Sequence, residues 1–95
     1  MKSDKFLKCV VDDNRRQILR FLNNNTYCVQ DIADHLHLEQ SLVSHHLHML
    51  KNCGLVTSEH KGKKILYRVS NSEITELLEK IDSVSTLIQD HGDCH

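Results

Sequence analysis

The sequence predicts a mainly α-helical domain with a β-hairpin wing, a winged helix–turn–helix that dimerises through its terminal helices. Three observations predict it. Two short amphipathic segments lie only three residues apart, around Val29–Leu36 and Gln40–Asn52. Two strand-like segments then flank a Lys-Gly-Lys-Lys turn at 61–64, and a long helix with an apolar stripe closes the chain.

Taken in order, Phe6, Leu7, Val10 and Val11 recur at helical spacing and mark a short first helix. Asp12 or Asp13 N-caps a second, because a short carboxylate accepts from the unpaired N–H groups of a first turn. Ile18, Leu19 and Leu22 face inward there, and the polar run Asn23-Asn24-Asn25-Thr26 ends the helix. Val29, Ile32, Ala33 and Leu36 fall on one stripe and mark a third helix. A fourth runs from about Gln40 to Asn52, with Gly54 where a helix C′ residue belongs. The hairpin pairs Leu55–His60 with Ile65–Val69, and Gly62 supplies the positive φ of its turn. The last helix spans about Ser72 to Gln89 (residues 72–89), followed by a tail at 90–95. No proline, repeat or linker breaks the chain, so residues 1–95 form a single domain.

A domain of 95 residues buries roughly 60–65% of its unfolded surface, so apolar surface beyond its core needs a partner. No apolar run approaches the ~20 residues of a membrane span, and the N-terminus has no signal-peptide core, so a cytoplasmic protein with no membrane partner is expected. Cys9, Cys28, Cys53 and Cys94 lie too far apart for a dense disulfide framework. In a reducing compartment they are free thiols, buried small residues or metal ligands. The net charge of −1 hides an asymmetry: residues 1–69 carry eleven Lys/Arg and seven Asp/Glu, residues 70–95 one and six. A basic body suits a polyanion.

The fourth helix carries the most information. At 100° per residue, Ser41, Ser44, His45 and His48 share one side, while Val43, Leu47 and Leu50 lie opposite. One side packs inward; the other presents hydroxyls and imidazoles, with Gln40 at the N-terminal end. Such groups hydrogen-bond base edges and phosphates when a helix enters the major groove of double-stranded DNA. Lys51, with Lys61, Lys63 and Lys64 at the wing tip, supplies charge for phosphates. The plainer reading of this pattern is a solvated helix face; the hairpin and the basic body weigh against it. His46 borders the apolar side and reads as a packing residue.

On the last helix, Ile74, Leu77, Ile81, Val84 and Ile88 alternate three and four residues apart, as in a coiled-coil seam. The stripe is expected to pair two copies. A homodimer sets its reading helices about one DNA turn apart, roughly 34 Å, and so requires a palindromic operator.

Asp13-Asn14-Arg15-Arg16-Gln17-Ile18-Leu19, Asp31-Ile32-Ala33-Asp34-His35-Leu36, Gln40-Ser41-Leu42-Val43-Ser44-His45-His46-Leu47 and Lys61-Gly62-Lys63-Lys64-Ile65-Leu66-Tyr67 resemble the ArsR/SmtB family of metal-sensing repressors. The likeness runs from about residue 5 to residue 90. It implies a dimeric repressor that leaves its operator when metal binds. Glu39 departs from the family pattern, which has a capping Ser there.

The resemblance also implies places for a metal. The family's site on the last helix falls on Asn71, Glu73, Val84 and Leu87, which are not a ligand set. Its Cys-x-Cys site at the third helix retains only Cys28. The cadmium/lead-sensing CmtR branch places three thiolates on positions that here read Met49, Cys53 and, beyond the last helix, Cys94. Cys53, Cys94 and Cys28 are therefore the candidate ligands for a soft divalent effector, Cd²⁺, Pb²⁺ or Zn²⁺, with no metal needed for folding. Cys9 reads as a packed small hydrophobe.

The leading expectation is a metal-responsive repressor released from DNA by a soft metal ion. A thiol-redox-responsive repressor of the same fold, and a winged-helix protein-interaction module, are the alternatives. The sequence contains no nucleophile–base pair in a cleft and no phosphate-cradling glycine loop, so no enzyme is expected.

Overall fold

A computed structural model describes residues 2–90, with side chains from Asp4 to Ile88. The elements are α1 (Lys2–Val10), α2 (Asp13–Leu22), β1 (Tyr27–Cys28), α3 (Val29–Leu36), α4 (Gln40–Asn52), β2 (Val56–Lys61), β3 (Lys64–Val69) and α5 (Ser72–Asp90). This is a winged helix–turn–helix, with α3 and α4 as the two-helix unit and β2–β3 as the wing.

Local chemistry sets most boundaries. Asp12, not Asp13, caps α2: its carboxylate accepts from the Arg15 N–H over 3.1 Å. α3 ends at His37, which takes a left-handed conformation (φ 58°) and lets the Leu38 N–H reach back to the Ala33 carbonyl. α4 ends in a full Schellman motif. Gly54 takes φ 80°, its N–H bonds to Lys51 O, and the Leu55 N–H bonds to Leu50 O over 2.9 Å. α5 starts at an Asx turn, in which Asn71 Oδ1 accepts from the Glu73 N–H over 2.8 Å.

The hairpin differs from expectation in one detail. Lys61 and Lys64 are themselves paired across the strands, so the turn holds only Gly62 and Lys63. A two-residue turn matches the strand twist and needs φ > 0, which Gly62 provides at 62°. A further strand, β1, was not legible in the sequence. Its two residues pair antiparallel with β3, Tyr27 opposite Tyr67 and Cys28 opposite Leu66, giving the sheet order β1-β3-β2. Two residues are too few to show a period of two; only the β3 edge creates them.

The core is one cluster. Ile18, Leu19 and Leu22 of α2, Ile32 and Ala33 of α3, and Val43, Leu47 and Leu50 of α4 close around Leu55, Val56 and Leu78. From α1, Cys9 and Val10 join it, whereas Leu7 and, just past the helix, Val11 remain exposed, Val11 at 73%. α5 touches this cluster chiefly through Leu78 and otherwise runs along its surface. Arg20 of α2 pins it there with a two-point ion pair to Asp82 of α5, at 2.8 and 3.1 Å.

Candidate nucleic-acid interface

α4 separates into the two sides the periodicity predicts. Val43, Leu47 and Leu50 are fully buried, and Gln40, Ser41, Ser44, His45 and His48 are all exposed. Burying three branched side chains on one side leaves the helix no rotational freedom, so the hydroxyl-and-imidazole side must face out. Glu39 precedes α4 in an extended conformation, and its side chain makes no capping bond. The N–H groups of the first turn of α4 thus have no side-chain acceptor, and a phosphate oxygen is a fitting partner for such a helix start.

His46 turns inward with the core side, as the sequence suggested, and is 6% exposed. Arg15 Nε donates to its Nδ1 over 3.3 Å, and the same guanidinium reaches the Cys9 carbonyl over 3.5 Å. Burial holds the His46 imidazole below its ordinary pKa; the Arg15 and His45 charges add to this, while Asp12 opposes it. Asp12 itself ends below the usual carboxylate value. Burial pushes it up, but the bond from the Arg15 N–H and the charges of His46 and Arg15 outweigh that.

The wing lies next to α4 in space as well as in sequence. Lys51 Nζ donates to Ser58 Oγ on β2 over 2.8 Å, tying the end of the helix to the wing. Lys51 therefore has a structural partner in addition to the phosphate role read from its charge. Lys61, Lys63 and Lys64 are exposed together at the wing tip. His48 Nε2 lies 3.4 Å from Asn52 Nδ2, one turn on, where the amide can donate to the unprotonated ring nitrogen on the exposed face.

The apolar stripe of α5 divides. Ile74 packs partly on the core of its own chain. Leu77 (40%), Ile81, Val84 and Ile88 (64%) stay exposed, together with Leu87. Leu77 and Ile74 also line a shallow groove with Phe6 of α1.

The thiols sit in different places. Cys28 is on β1 and buried against its surroundings; Cys94 lies outside the described residues. Cys53 caps α4 and lines an open cleft of about 470 Å³ with Cys9, Met49, Lys5, Lys8, Arg15 and Asn52. Cys28 does not line it. Burial and the neighbouring Cys53 thiol push the pKa of Cys9 up to about 11, against a smaller opposing effect of Arg15. The meeting of Cys9 with Cys53 is invisible in the sequence, since they lie forty-four positions apart and no local spacing signals it. Among the described residues, no three His, Cys, Asp or Glu side chains converge as a metal site. Cys53 and Met49 offer soft donors at the cleft.

Comparison with known proteins agrees with this geometry. Residues 12–58 match the model of the bacterial regulatory protein arsR family. The regulator NmtR of Mycobacterium tuberculosis is 35% identical over 78% of this chain and 62% of its own length. The cadmium resistance regulatory protein CadC of Listeria innocua is 37% identical over 78% of this chain and 63% of its own. The chain thus spans about six tenths of the length of these curated relatives. The structure of reduced HlyU from Vibrio cholerae superposes with a TM-score of 0.78 at 30% identity, covering 87% of each chain.

Proposed function

The chain belongs to the arsR family of bacterial regulatory proteins, and from that premise we propose that it is a homodimeric transcriptional repressor released from a palindromic operator by a soft metal ion. The observation that carries the DNA-binding part is the division of α4. Gln40, Ser41, Ser44, His45 and His48 are exposed on one side while Val43, Leu47 and Leu50 anchor the other. In this reading α4 enters the major groove, Ser44 and His45 meet base edges, and Lys51, Lys61, Lys63 and Lys64 meet phosphates. The exposed stripe of Leu77, Ile81, Val84 and Ile88 supports pairing of two copies.

Cd²⁺, Pb²⁺ or Zn²⁺ is the proposed effector, held through Cys53 with Cys94, and with Cys28 as the further candidate thiolate. The half-buried Cys53 beside Met49 supports this, as does the likeness to a cadmium resistance regulator. The metal would supply a tight crosslink at the end of α4, and a coupling of about 1–3 kcal/mol is enough to misplace the reading helices for release.

Two titrations test the reading. Binding of the reduced chain to a short palindromic duplex should weaken steeply with salt; binding that ignores salt and sequence would point instead to a protein-interaction module. Adding each metal to the reduced chain should raise thiolate charge-transfer absorption. If Cys53→Ser, Cys94→Ser and Cys28→Ser all bind like wild type, the ligand assignment is wrong.

A further inference from the structure

We propose that Cys9 and Cys53 form a dithiol site that a hydroperoxide closes to a disulfide, clamping α1 onto the end of the reading helix. The inference rests on the DNA-binding reading for its output alone, and it does not require a metal.

The geometry is reciprocal. Cys9 Sγ of α1 donates to the carbonyl of Met49, four residues before Cys53. Cys53 Sγ donates to the carbonyl of Lys5, four residues before Cys9. Each thiol is thus aimed across the α1–α4 junction at the last turn leading to the other, and both line the same cleft. A disulfide needs its sulfurs about 2.05 Å apart, so closing the pair draws two elements together that are already in contact.

The charge around the pair suits oxidation. Among the described residues, Lys5, Lys8 and Arg15 line the cleft and no carboxylate does. Such a wall favours the departing alkoxide of a reduced peroxide. The pair is also asymmetric. Cys9 is 1% exposed, whereas Cys53 is half-buried at the mouth, so Cys53 is the thiol that solvent-borne oxidant meets first.

The chemistry balances in two steps. The Cys53 sulfur attacks the terminal oxygen of the hydroperoxide ROOH; the O–O bond breaks, the sulfur becomes a sulfenic acid, and ROH leaves with the thiol proton. The Cys9 sulfur then attacks the Cys53 sulfur, and the hydroxyl departs as water with the Cys9 proton. Two thiols and one hydroperoxide become one disulfide, one alcohol and one water. A dithiol reductant reverses the result. Because α1 carries the exposed Leu7 and leads into the exposed Val11 while α4 carries the reading face, the clamp links the apolar surface to the DNA-facing helix.

The test treats the chelator-washed full chain with hydrogen peroxide and maps disulfides by mass spectrometry of unreduced peptides. The expected product is one intramolecular Cys9–Cys53 link, reversed by dithiothreitol, absent in Cys53→Ser and kept in a Cys28→Ser/Cys94→Ser chain. Cys9→Ala is the second variant; since that position is in the core, its folding is checked by circular dichroism, and Cys53→Ser decides if it fails. A link to Cys28 or Cys94, a link between chains, or Cys53 sulfinic acid without any link overturns the pairing. The oxidised and reduced chains are then compared on the palindromic duplex, where oxidation should weaken binding about fivefold or more. Equal binding by both forms overturns the clamp. Failure of the reduced chain to bind any duplex would instead sink the DNA reading, with the disulfide map still deciding the pair.

Discussion

Arg15 of α2 holds His46 of α4 by donating its Nε to the ring Nδ1, while the same guanidinium reaches the Cys9 carbonyl at the end of α1. One side chain thus joins three helices behind the exposed hydroxyl-and-imidazole face of α4. The acceptor role also defines the imidazole: Nδ1 carries the lone pair, Nε2 the hydrogen, and the ring is neutral.

That neutrality gives stability a direction with pH. The folded His46 titrates below its unfolded value of 6.5, so on acidification the unfolded chain takes up the proton first. The contribution is therefore complete above 6.5 and is lost as pH falls through that value toward the lower folded one. Asp12, also lowered from its ordinary value of 3.8, acts with the same sign in a more acidic window. Thermal melting should drop between about pH 7.5 and about pH 5.5. His46→Gln should be less stable at the upper pH and flatter across the range; an equally steep profile in the variant would assign the effect elsewhere.

The two sides of α4 should respond oppositely to truncation. Leu47→Ala removes a fully buried side chain and should cost about 2–5 kcal/mol of folding stability in denaturant titration. Ser44→Ala and His45→Ala alter exposed positions, so stability should move by less than about 0.5 kcal/mol. Their effect should appear in operator affinity, by about 1–3 kcal/mol where a hydrogen bond to a base edge is removed. Unchanged affinity in both would remove α4 as the reading helix.

The wing lysines should act through salt. Replacing Lys63 with Ala, or Lys61 or Lys64, should lower the slope of log affinity against log salt by about 0.9 for each phosphate no longer neutralised, with no change in sequence preference. A weaker sequence preference at constant slope would mean the wing reads bases.

Pairing through α5 should be separable from folding. Ile81 and Val84 are exposed in the single chain, so Ile81→Glu leaves the core intact. Sedimentation should show monomers with undiminished helix content and strongly weakened duplex binding. Retained dimers would place the interface on another surface.

The thiols should differ in labelling rate. Cys9 is sealed from solvent and its pKa is raised to about 11, so it remains a protonated thiol at pH 8. Iodoacetamide should modify Cys53 first in the native chain, and Cys9 only at the rate of opening or in denaturant. Equal rates would mean that the α1–α4 junction opens freely.

Sequence periodicity and turn chemistry determined a great deal: the bounds of α4, the inward turn of His46, the glycines at the helix end and wing turn, and the exposed seam of α5. Each is local, set by residues within a turn or two of one another, where helical pitch and positive φ impose their own pattern. Only the tertiary structure decided what meets across distance. It created β1 by pairing it to β3, gave Lys51 a wing partner, ran Arg15 between three helices, and brought Cys9 against Cys53. Those meetings depend on how α1 and α2 pack on α4, and no spacing along the chain encodes a packing distance.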